Sequence, residues 1–388
     1  MGMDRTGDGL WRGGLARVLA LYALLYGAYG ALSPILPSFL AARGLSASEI
    51  GILLAAAGAL RIVAGPLAGR IADRSGAART VLAGSAALAG LATLAHLLGH
   101  SFAPLLAASL AYALGTAAPA PVADALALAA ARGGQAFQYG WVRAAGSAAF
   151  IAATAAAGAL IGAAGLAAAV AASGLLFLTT AAAARTVPAE AAGGGDRASW
   201  DGVRALVGSA RFRRTVLAAA LVIGAHALHD GFAVLLWRAS GIGPGVAGLL
   251  WSGAVASEIV VFLLVGPPLL RRIGLPGGVA LAAAAGGLRW SVLALTTALP
   301  WLAAAEALHG LSFALLHLAC LGLIEASVPR DLRATALAVY GTFGLGLAGV
   351  LATLASGWLY GRFGAGAFWA MAVLSLAALP LVPGLRTR

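Results

Sequence analysis

Lysine and asparagine are both missing from this 388-residue chain, cysteine occurs once, and charged residues make up only 10% of it. A soluble domain carries about 25% charged residues, so the composition excludes an ordinary water-soluble protein. The single cysteine, Cys320, excludes an intrachain disulfide. Without lysine, the net charge of +12 comes from arginine. The arginines are spread over short loops instead of forming one basic face, which argues against nucleic acid as a partner.

Long apolar runs dominate what is present. The chain is 61% hydrophobic, and its 54 glycines allow helices to pack closely in lipid. A helix that crosses a bilayer needs ~20 mostly apolar residues. This length predicts an all-α membrane protein with twelve spanning helices. They lie at 15–41, 48–70, 79–99, 102–131, 136–161, 163–185, 214–239, 244–270, 276–297, 300–326, 333–359 and 364–384.

The arginines also predict the orientation in the membrane. If the N-terminus is inside, only Arg43, Arg238 and Arg362 fall in loops on the outer side. The positive-inside rule therefore places both termini in the cytoplasm. The N-terminal segment has no short apolar core followed by a cleavage site, so the first helix is expected to be retained. The expected location is the inner (plasma) membrane of a bacterium.

The longest non-apolar stretch, 186–213, divides the chain into equal halves of six predicted helices. It is rich in glycine and charge at its start and becomes amphipathic around Trp200–Val207. We interpret it as a cytoplasmic linker that carries an interfacial helix. The predicted organisation is an N-terminal half at 1–185, the linker at 186–213 and a C-terminal half at 214–388. Paired halves of this kind place a substrate site near the middle of the bilayer.

Several predicted helices carry ionisable residues in their interior. A charge at the centre of a bilayer costs at least ~2.5–3.5 kcal/mol, so such residues indicate a function such as the passage of a polar solute or a proton. Counting from the helix ends places Asp124 and Arg143 at a similar depth on consecutive helices, where they can meet. His226, Glu258 and Arg289 share a central layer, and we expect Glu258 to lie near Arg289. The other ionisable residues inside the predicted helices are Asp230, Glu306, His309, His317 and Arg61.

Helical spacing groups these residues into stripes. Glu306, His309, Phe313 and His317 lie on one face, as do His226 and Asp230. Tyr22, Tyr26, Tyr29 and Ser33 form a third stripe. The three stripes are interpreted as lining a cavity, although helix packing explains the tyrosine stripe equally well. His229 is interpreted as structural or lining, and Arg61 either lines the path or pairs with an acid.

The loop after the second predicted helix reads GRIADRSGAAR. It resembles the G-x-x-x-D-R-x-G signature of the major facilitator superfamily and departs from it at Ala77 and Ala78. The loop after the eighth helix, GPPLLRRIG, looks like a decayed copy. The resemblance implies that Asp73 and Arg74 help to hold a gate.

A second resemblance is narrower. YGWVRAAGSAAF, from Tyr139 to Phe150, is similar to the Y-G-x-x-R-x-x-G-S segment of the phenylpropionate permease group, a branch of that superfamily related to lactose permease. PVADALAL, GAHALHDGF, VASEIVVF, GGLRWSVLALTTALPW and LHGLSFALLHLA resemble the same group in the same order. The resemblance implies substrate binding by Asp124 and Arg143. It implies proton coupling by Glu258, Arg289 and either His309 or His317.

The sequence therefore predicts a proton-coupled symporter of a small organic solute, such as an aromatic carboxylate. The expected substrate-binding residues are Tyr22, Tyr26, Tyr29, Asp124, Arg143 and Arg289. The expected proton-coupling residues are Glu258, Arg289, His309, His317, His226, Asp230 and Glu306. A sugar or nucleoside symporter is the first alternative, but the chain has no asparagine, and its glutamines are confined to positions 135 and 138. A drug/proton antiporter is the second, although the fifth helix lacks proline.

Other functional classes fit the sequence less well. No Ser/His/Asp set shares one face, so an enzyme is not expected. One helical turn with His226, His229 and Asp230 cannot supply a complete coordination sphere, so neither a metal nor a cofactor is expected. The expected partners are a small-molecule substrate, protons and the lipid bilayer, with the protein acting as a monomer.

Overall fold

The computed structural model describes residues 5–132, 139–187 and 200–385, and within these ranges the regular structure is entirely helical. Alanine and leucine, which dominate the sequence, are strong helix formers. A helix also satisfies its backbone hydrogen bonds internally, as a segment in lipid requires. The all-α expectation is therefore confirmed for the described residues.

The α-helices follow the predicted apolar segments, with additional breaks. In chain order they are α1 Arg5–Leu32, α2 Leu36–Ala42, α3 Ala47–Ser75, α4 Ala78–Ala95, α5 Phe102–Ala117, α6 Pro119–Arg132, α7 Tyr139–Ala164, α8 Leu166–Ala184, α9 Trp200–Gly208, α10 Ala210–Gly224, α11 Ala227–Ala239, α12 Pro244–Val260, α13 Gly266–Leu295, α14 Leu299–Ala307, α15 Leu316–Ser327, α16 Arg333–Val339, α17 Ala348–Phe363 and α18 Phe368–Leu376. Three π-helical stretches, Val261–Val265, Gly310–Leu315 and Tyr340–Leu347, join neighbouring helices.

Proline and glycine explain several of the breaks. Pro34 lies in the turn between α1 and α2, and Pro119 begins α6, so each removes a backbone donor from the helical ladder. The first predicted helix therefore ends at Leu32, and Ser33 lies beyond the tyrosine stripe. Gly274 interrupts α13 with a φ of 73°, and Gly364 follows α17 with a φ of 54°. Glycine tolerates this left-handed region without a steric penalty.

Within the described ranges, ten helical segments are long and apolar enough to cross a membrane. They are Gly14–Leu32, Ala47–Ala72, Ala78–Leu98, Phe102–Ala130, Tyr139–Ala164, Leu166–Ala184, Ala210–Ala239, Pro244–Leu295, Leu299–Ser327 and Thr335–Leu385. Two of them contain 52 and 51 residues, more than twice the length that one crossing needs. The twelve crossings expected from the sequence stay a prediction.

Contacts divide the chain into two compact units. Unit 1 comprises Met1–Gly44 and Leu60–Gly195, and unit 2 comprises Leu45–Ala59 and Asp196–Arg388. The first turns of α3 group with unit 2 because Gly51 lies against Gly357, where a Cβ on Gly51 would be 2.7 Å from the Gly357 Cα. The domain boundaries expected from the sequence stay a prediction.

Small residues permit close helix packing in unit 1. Gly90 of α4 faces Gly174 of α8, and a Cβ on Gly90 would lie 2.8 Å from the Gly174 carbonyl oxygen. Gly115 of α5 similarly lies against Ala89, with a hypothetical Cβ 2.7 Å from the Ala89 Cα. The expected use of glycine at helix contacts is seen here.

In unit 2, the helix predicted within the linker is present as α9, and its location at the membrane interface stays a prediction. Its Leu206 is buried in a core formed with Phe212 and other apolar residues of the following helices. Residues 188–199 of the predicted linker lie outside the described ranges.

Candidate functional site

Two groups of polar side chains occupy the membrane-spanning helices, one in each unit. The tyrosine–arginine cluster belongs to unit 1 and consists of Tyr22, Tyr26, Tyr29, Asp124 and Arg143. The buried ionic chain belongs to unit 2 and consists of Glu258, His309, Arg289, Glu306, His229 and Asp230.

Asp124 of α6 and Arg143 of α7 meet as their depths predict, with Arg143 Nη1 3.5 Å from Asp124 Oδ1. Two tyrosines of α1 complete the contact. The Tyr22 hydroxyl donates to Asp124 Oδ1 at 2.5 Å, and Arg143 Nη1 donates to the Tyr26 hydroxyl. Asp124 is therefore held by a neutral donor at shorter range than by the guanidinium.

The tyrosine stripe combines helix packing with an exposed polar surface. The rings of Tyr22 and Tyr26 stack at 5.6 Å, and Tyr29 meets Tyr26 edge-on at 6.1 Å. Gly146 of α7 makes room for them, because a Cβ there would lie 2.9 Å from Tyr26 Cδ2. Tyr22 is fully buried, whereas Tyr26 and Tyr29 are partly exposed. Packing therefore accounts for Tyr22, and the other two rings remain accessible.

Arg143 leaves most of its guanidinium unused. Its side chain is 45% exposed, and its hydrogen bonds to other described residues all involve Nη1. Nη2 and Nε are thus available to an acceptor. Its Cζ also lies 5.3 Å from the centre of the Tyr26 ring, which adds a cation–π contact.

In unit 2, the centre of the ionic chain is Arg289 of α13, whose exposed fraction is 0%. It donates to Glu306 Oε2 at 2.8 Å and to His309 Nδ1 at 2.7 Å. Its Cζ lies 4.4 Å from the centre of the Trp290 ring. A buried arginine needs such partners to be stable. Nη1 and Nη2 have them, whereas Nε has no hydrogen-bond partner among the described residues.

His309 connects Arg289 to Glu258, since its Nε2 lies 2.5 Å from Glu258 Oε1. Glu258 and Arg289, which were expected to lie close together, are therefore joined through the ring of His309. The carboxylate that contacts Arg289 directly is Glu306, not Glu258. Because arginine only donates, Nδ1 of His309 must accept, and its proton sits on Nε2, from which it is donated to Glu258.

At the opposite end of the chain, His229 lies between two carboxylates. Its Nε2 is 3.1 Å from Glu306 Oε1, and its Nδ1 is 3.2 Å from Asp230 Oδ1. The ring also stacks on Trp251 at 4.9 Å. The sequence had suggested only a structural or lining role for His229. Its position next to Asp230, in a helix that begins anew after a turn at Ala225, was the available signal.

The two other histidines predicted to couple protons, His226 and His317, lie beside the buried ionic chain. His226 is hydrogen-bonded to Val222 O at 2.9 Å and to Ser312 Oγ at 3.2 Å, and its ring is 5.2 Å from that of His309. Phe313 stacks between His309 at 5.4 Å and His317 at 6.4 Å, so the predicted stripe is present. His317 Nδ1 lies 3.2 Å from the Tyr340 hydroxyl.

The predicted gating residues are only partly described. Arg74 is exposed in the last turn of α3, whereas the side chain of Asp73 lies outside the described residues. Among the side chains described, no three His, Cys, Asp or Glu residues are grouped as a metal ion would need.

The ionic chain has unequal numbers of positive and negative groups. It contains three carboxylates, Glu258, Glu306 and Asp230, and one guanidinium, which contacts only Glu306 among these acids. Both ring nitrogens of His229 lie against carboxylate oxygens, and its Nε2 is also 3.2 Å from Arg289 Nη2. The interior of the ionic chain is buried, but the side chains at its two ends are exposed, by 22% at Glu258 and 60% at Asp230. Contacts within hydrogen-bond distance run without a break from Glu258 through His309, Arg289, Glu306 and His229 to Asp230.

The comparisons with known proteins identify the family of the chain. The model of the MFS_1-like family matches residues 15–371. A probable 3-phenylpropionic acid transporter of Escherichia coli (strain K12) is 36% identical over 163 residues, which is 42% of each chain. The chain thus aligns with less than half of that relative's length. A maltose permease of Geobacillus stearothermophilus is 29% identical over 350 residues, covering 90% of this chain and 88% of the permease.

Solved transporters share the fold. The nucleoside transporter NupG superposes with a TM-score of 0.82 at 17% identity, over 95% of this chain and 97% of that one. A bacterial homologue of the human lysosomal transporter Spinster gives a TM-score of 0.71 at 16% identity, over 100% of both chains. These relatives and solved structures are transporters, not enzymes. The chain therefore belongs to the MFS_1-like family and is a multi-pass membrane transporter of the major facilitator type.

Proposed function

We propose that this transporter is a proton-coupled symporter of a small aromatic carboxylate, working by alternating access. The observation that carries the proposal is the buried ionic chain of unit 2, with two more carboxylates than guanidiniums and an accessible acid at each end. A static ion pair kept only for folding would not need the surplus acids. Coupling between solute and proton is reciprocal, so each ligand raises the affinity for the other.

The proton site is assigned to Glu258 with His309. While Glu258 is ionised, His309 donates to it through Nε2 and accepts from Arg289 through Nδ1. A proton on Glu258 leaves a carbonyl oxygen that can still accept, but it removes the negative charge that holds the Nε2 donor. If the proton instead binds His309 at Nδ1, the ring becomes an imidazolium and no longer accepts from Arg289. Either change weakens the link between Glu258 and Arg289 and shifts this guanidinium towards Glu306. This gives protonation a mechanical consequence inside unit 2.

The solute site is assigned to the tyrosine–arginine cluster of unit 1. The accessible rings of Tyr26 and Tyr29 suit an aromatic body. Arg143 forms no hydrogen bond through Nη2 or Nε to the described residues, so both can donate to an acceptor on the solute. The phenylpropionic acid relative supports this substrate class through its matching segment.

A neutral sugar is the second candidate. It is supported by the maltose permease, whose alignment covers 90% of this chain. Neutral polyols are usually bound by several amide and hydroxyl groups, and this chain has no asparagine. We therefore favour the carboxylate.

The membrane arrangement that fits this function has twelve crossings in two halves of six. Two of the ten apolar segments, at 1.5 Å per residue, would be about 78 and 77 Å long, against a hydrocarbon core of about 30 Å. Gly274 and Gly364 offer the break that each needs. A bacterial inner membrane, cytoplasmic termini, a monomeric state and a gate at Asp73 and Arg74 complete the proposal.

A panel of thermal unfolding measurements tests the substrate class. A ligand at 100 times its Kd stabilises the folded state by about 2.7 kcal/mol, so binding is visible as a raised melting temperature. We expect 3-phenylpropionate and related aromatic carboxylates to stabilise the purified protein, with stronger effects at lower pH. Stabilisation by maltose or nucleosides, with none by the carboxylates, would contradict the proposal.

A further inference from the structure

Arg61 is a charged residue in the middle of a spanning helix that has no acidic partner among the described residues. It lies at the centre of α3, between Ala47 and Ser75, and is exposed. No hydrogen bond or ion pair joins it to another described side chain. A charged side chain at this depth in a bilayer is costly, so the presence of Arg61 indicates a function.

The position of Arg61 on α3 excludes contact with lipid as the explanation for its exposure. Ala57 and Ala64, at i−4 and i+3, are buried, so Arg61 lies on the face that packs against protein. The exposed apolar residues Val63 and Leu67 mark a different face of the same helix. An exposed guanidinium on the protein-facing side indicates a space that admits water or a ligand.

Neighbouring contacts place this space at the Tyr29 end of the tyrosine–arginine cluster. One turn after Arg61, Gly65 lies against α5, where a Cβ would be 3.7 Å from the Ala117 carbonyl oxygen. The adjacent Thr116 carbonyl accepts a hydrogen bond from the Tyr29 hydroxyl at 3.3 Å. The charge of Arg61 also acts on the hydroxyls of Tyr29 and Tyr112.

The two arginines of unit 1 differ in their charge balance. Arg143, at the Tyr26 end, is accompanied by Asp124 at 3.5 Å. Among the described residues Arg61 has no such carboxylate, so its positive charge, at the Tyr29 end, is not balanced by any of them. A single anionic group would balance it.

We propose that Arg61 is the principal carboxylate-binding residue of the solute site. This inference rests on the proposed transport of an aromatic carboxylate. It also specifies the orientation of the solute in its binding site. The carboxylate binds Arg61, the ring lies against Tyr29 and Tyr26, and the far end reaches Arg143 and Asp124. These two residues, which together both donate and accept, bind a neutral polar substituent such as a ring hydroxyl.

The test compares an acid with its amide. Binding of 3-phenylpropionate, 3-phenylpropionamide and 3-(4-hydroxyphenyl)propionate to the purified full-length protein is measured by titration calorimetry. The variants are Arg61→Gln, Arg61→Lys and the double variant Arg143→Gln with Asp124→Asn. Arg70→Gln, an exposed arginine further along α3, is the matched control.

We expect wild type and Arg70→Gln to prefer the acid over the amide by about 10- to 100-fold, as a hydrogen bond between charged groups implies. Arg61→Gln should lose this preference while still binding the amide, which shows that it is folded. Arg61→Lys should retain part of it. The double variant should keep the preference for the acid and lose any preference for the hydroxylated ring.

An acid-to-amide ratio in Arg61→Gln equal to that of the wild type would overturn the inference. So would an equal loss of affinity for both ligands. Failure of the wild type to bind any of the aromatic carboxylates is a different result, because it would overturn the proposed function itself.

Discussion

Glu258→Gln is expected to abolish the uphill accumulation of solute while leaving solute exchange intact. The amide keeps the size of the side chain and an acceptor for His309, but it cannot take up a proton. A pH difference of about one unit supplies ~1.4 kcal/mol per proton, which corresponds to about 10-fold accumulation at one proton per solute. In proteoliposomes, the accumulation ratio of the variant should therefore fall to about one.

The controls for this experiment address passive entry and general damage. An aromatic acid crosses protein-free bilayers in its neutral form, so vesicles without protein provide the baseline. Glu325→Gln makes the same substitution at an exposed glutamate of α15 and should accumulate solute normally. Accumulation by Glu258→Gln at the level of Glu325→Gln would show that Glu258 does not carry the proton.

Arg289→Met is expected to destabilise the folded protein by about 3–5 kcal/mol, the cost of removing one partner of a buried pair. The substitution leaves Glu306 buried without its guanidinium and removes the donor to His309. The free energy of unfolding in detergent is the relevant measurement. Arg272→Met, an exposed arginine of the same helix, should change it by about 0.5 kcal/mol or less.

A double substitution distinguishes two causes of the lost stability, the unpaired buried charge and general disruption of the site. Removing both charges, as in Arg289→Met with Glu306→Leu, should recover at least half of the lost stability, because apolar replacements of a buried ion pair are often neutral. The double variant should nevertheless fail to couple solute to protons. If Arg289→Met proves as stable as wild type, Glu306 cannot depend on this guanidinium in the way its 2.8 Å contact indicates.

The contact between Asp124 and Arg143 in unit 1 is easier to predict from the sequence than the buried ionic chain of unit 2. The regularity of the helices explains the difference. Asp124 and Arg143 lie on consecutive, regular helices, so depth along the helix suffices to bring them together. Glu306 and His309 lie next to two irregular features, the end of α14 at Ala307 and the π-helical stretch that begins at Gly310. His309, Phe313 and His317 nevertheless keep the face that the spacing predicts. What spacing and depth do not give is which acid contacts Arg289 directly.

His229 illustrates the same limit. Regular spacing groups His226 with Asp230, but the chain turns at Ala225 and His226 before α11 begins. His226 is then hydrogen-bonded to Val222 and Ser312, and His229 takes the place between Glu306 and Asp230. The apolar segments themselves were predictable because bilayer thickness fixes their length, whereas local breaks depend on packing.

The central claim, that solute and proton binding are coupled, is tested most directly by counting protons taken up when solute binds. Titration calorimetry of 3-phenylpropionate with the wild-type protein, in buffers of different ionisation enthalpy at several pH values, gives this number. We predict proton uptake in at least part of the pH range, and none with Glu258→Gln. Solute binding without any change in protonation across that range would contradict the account.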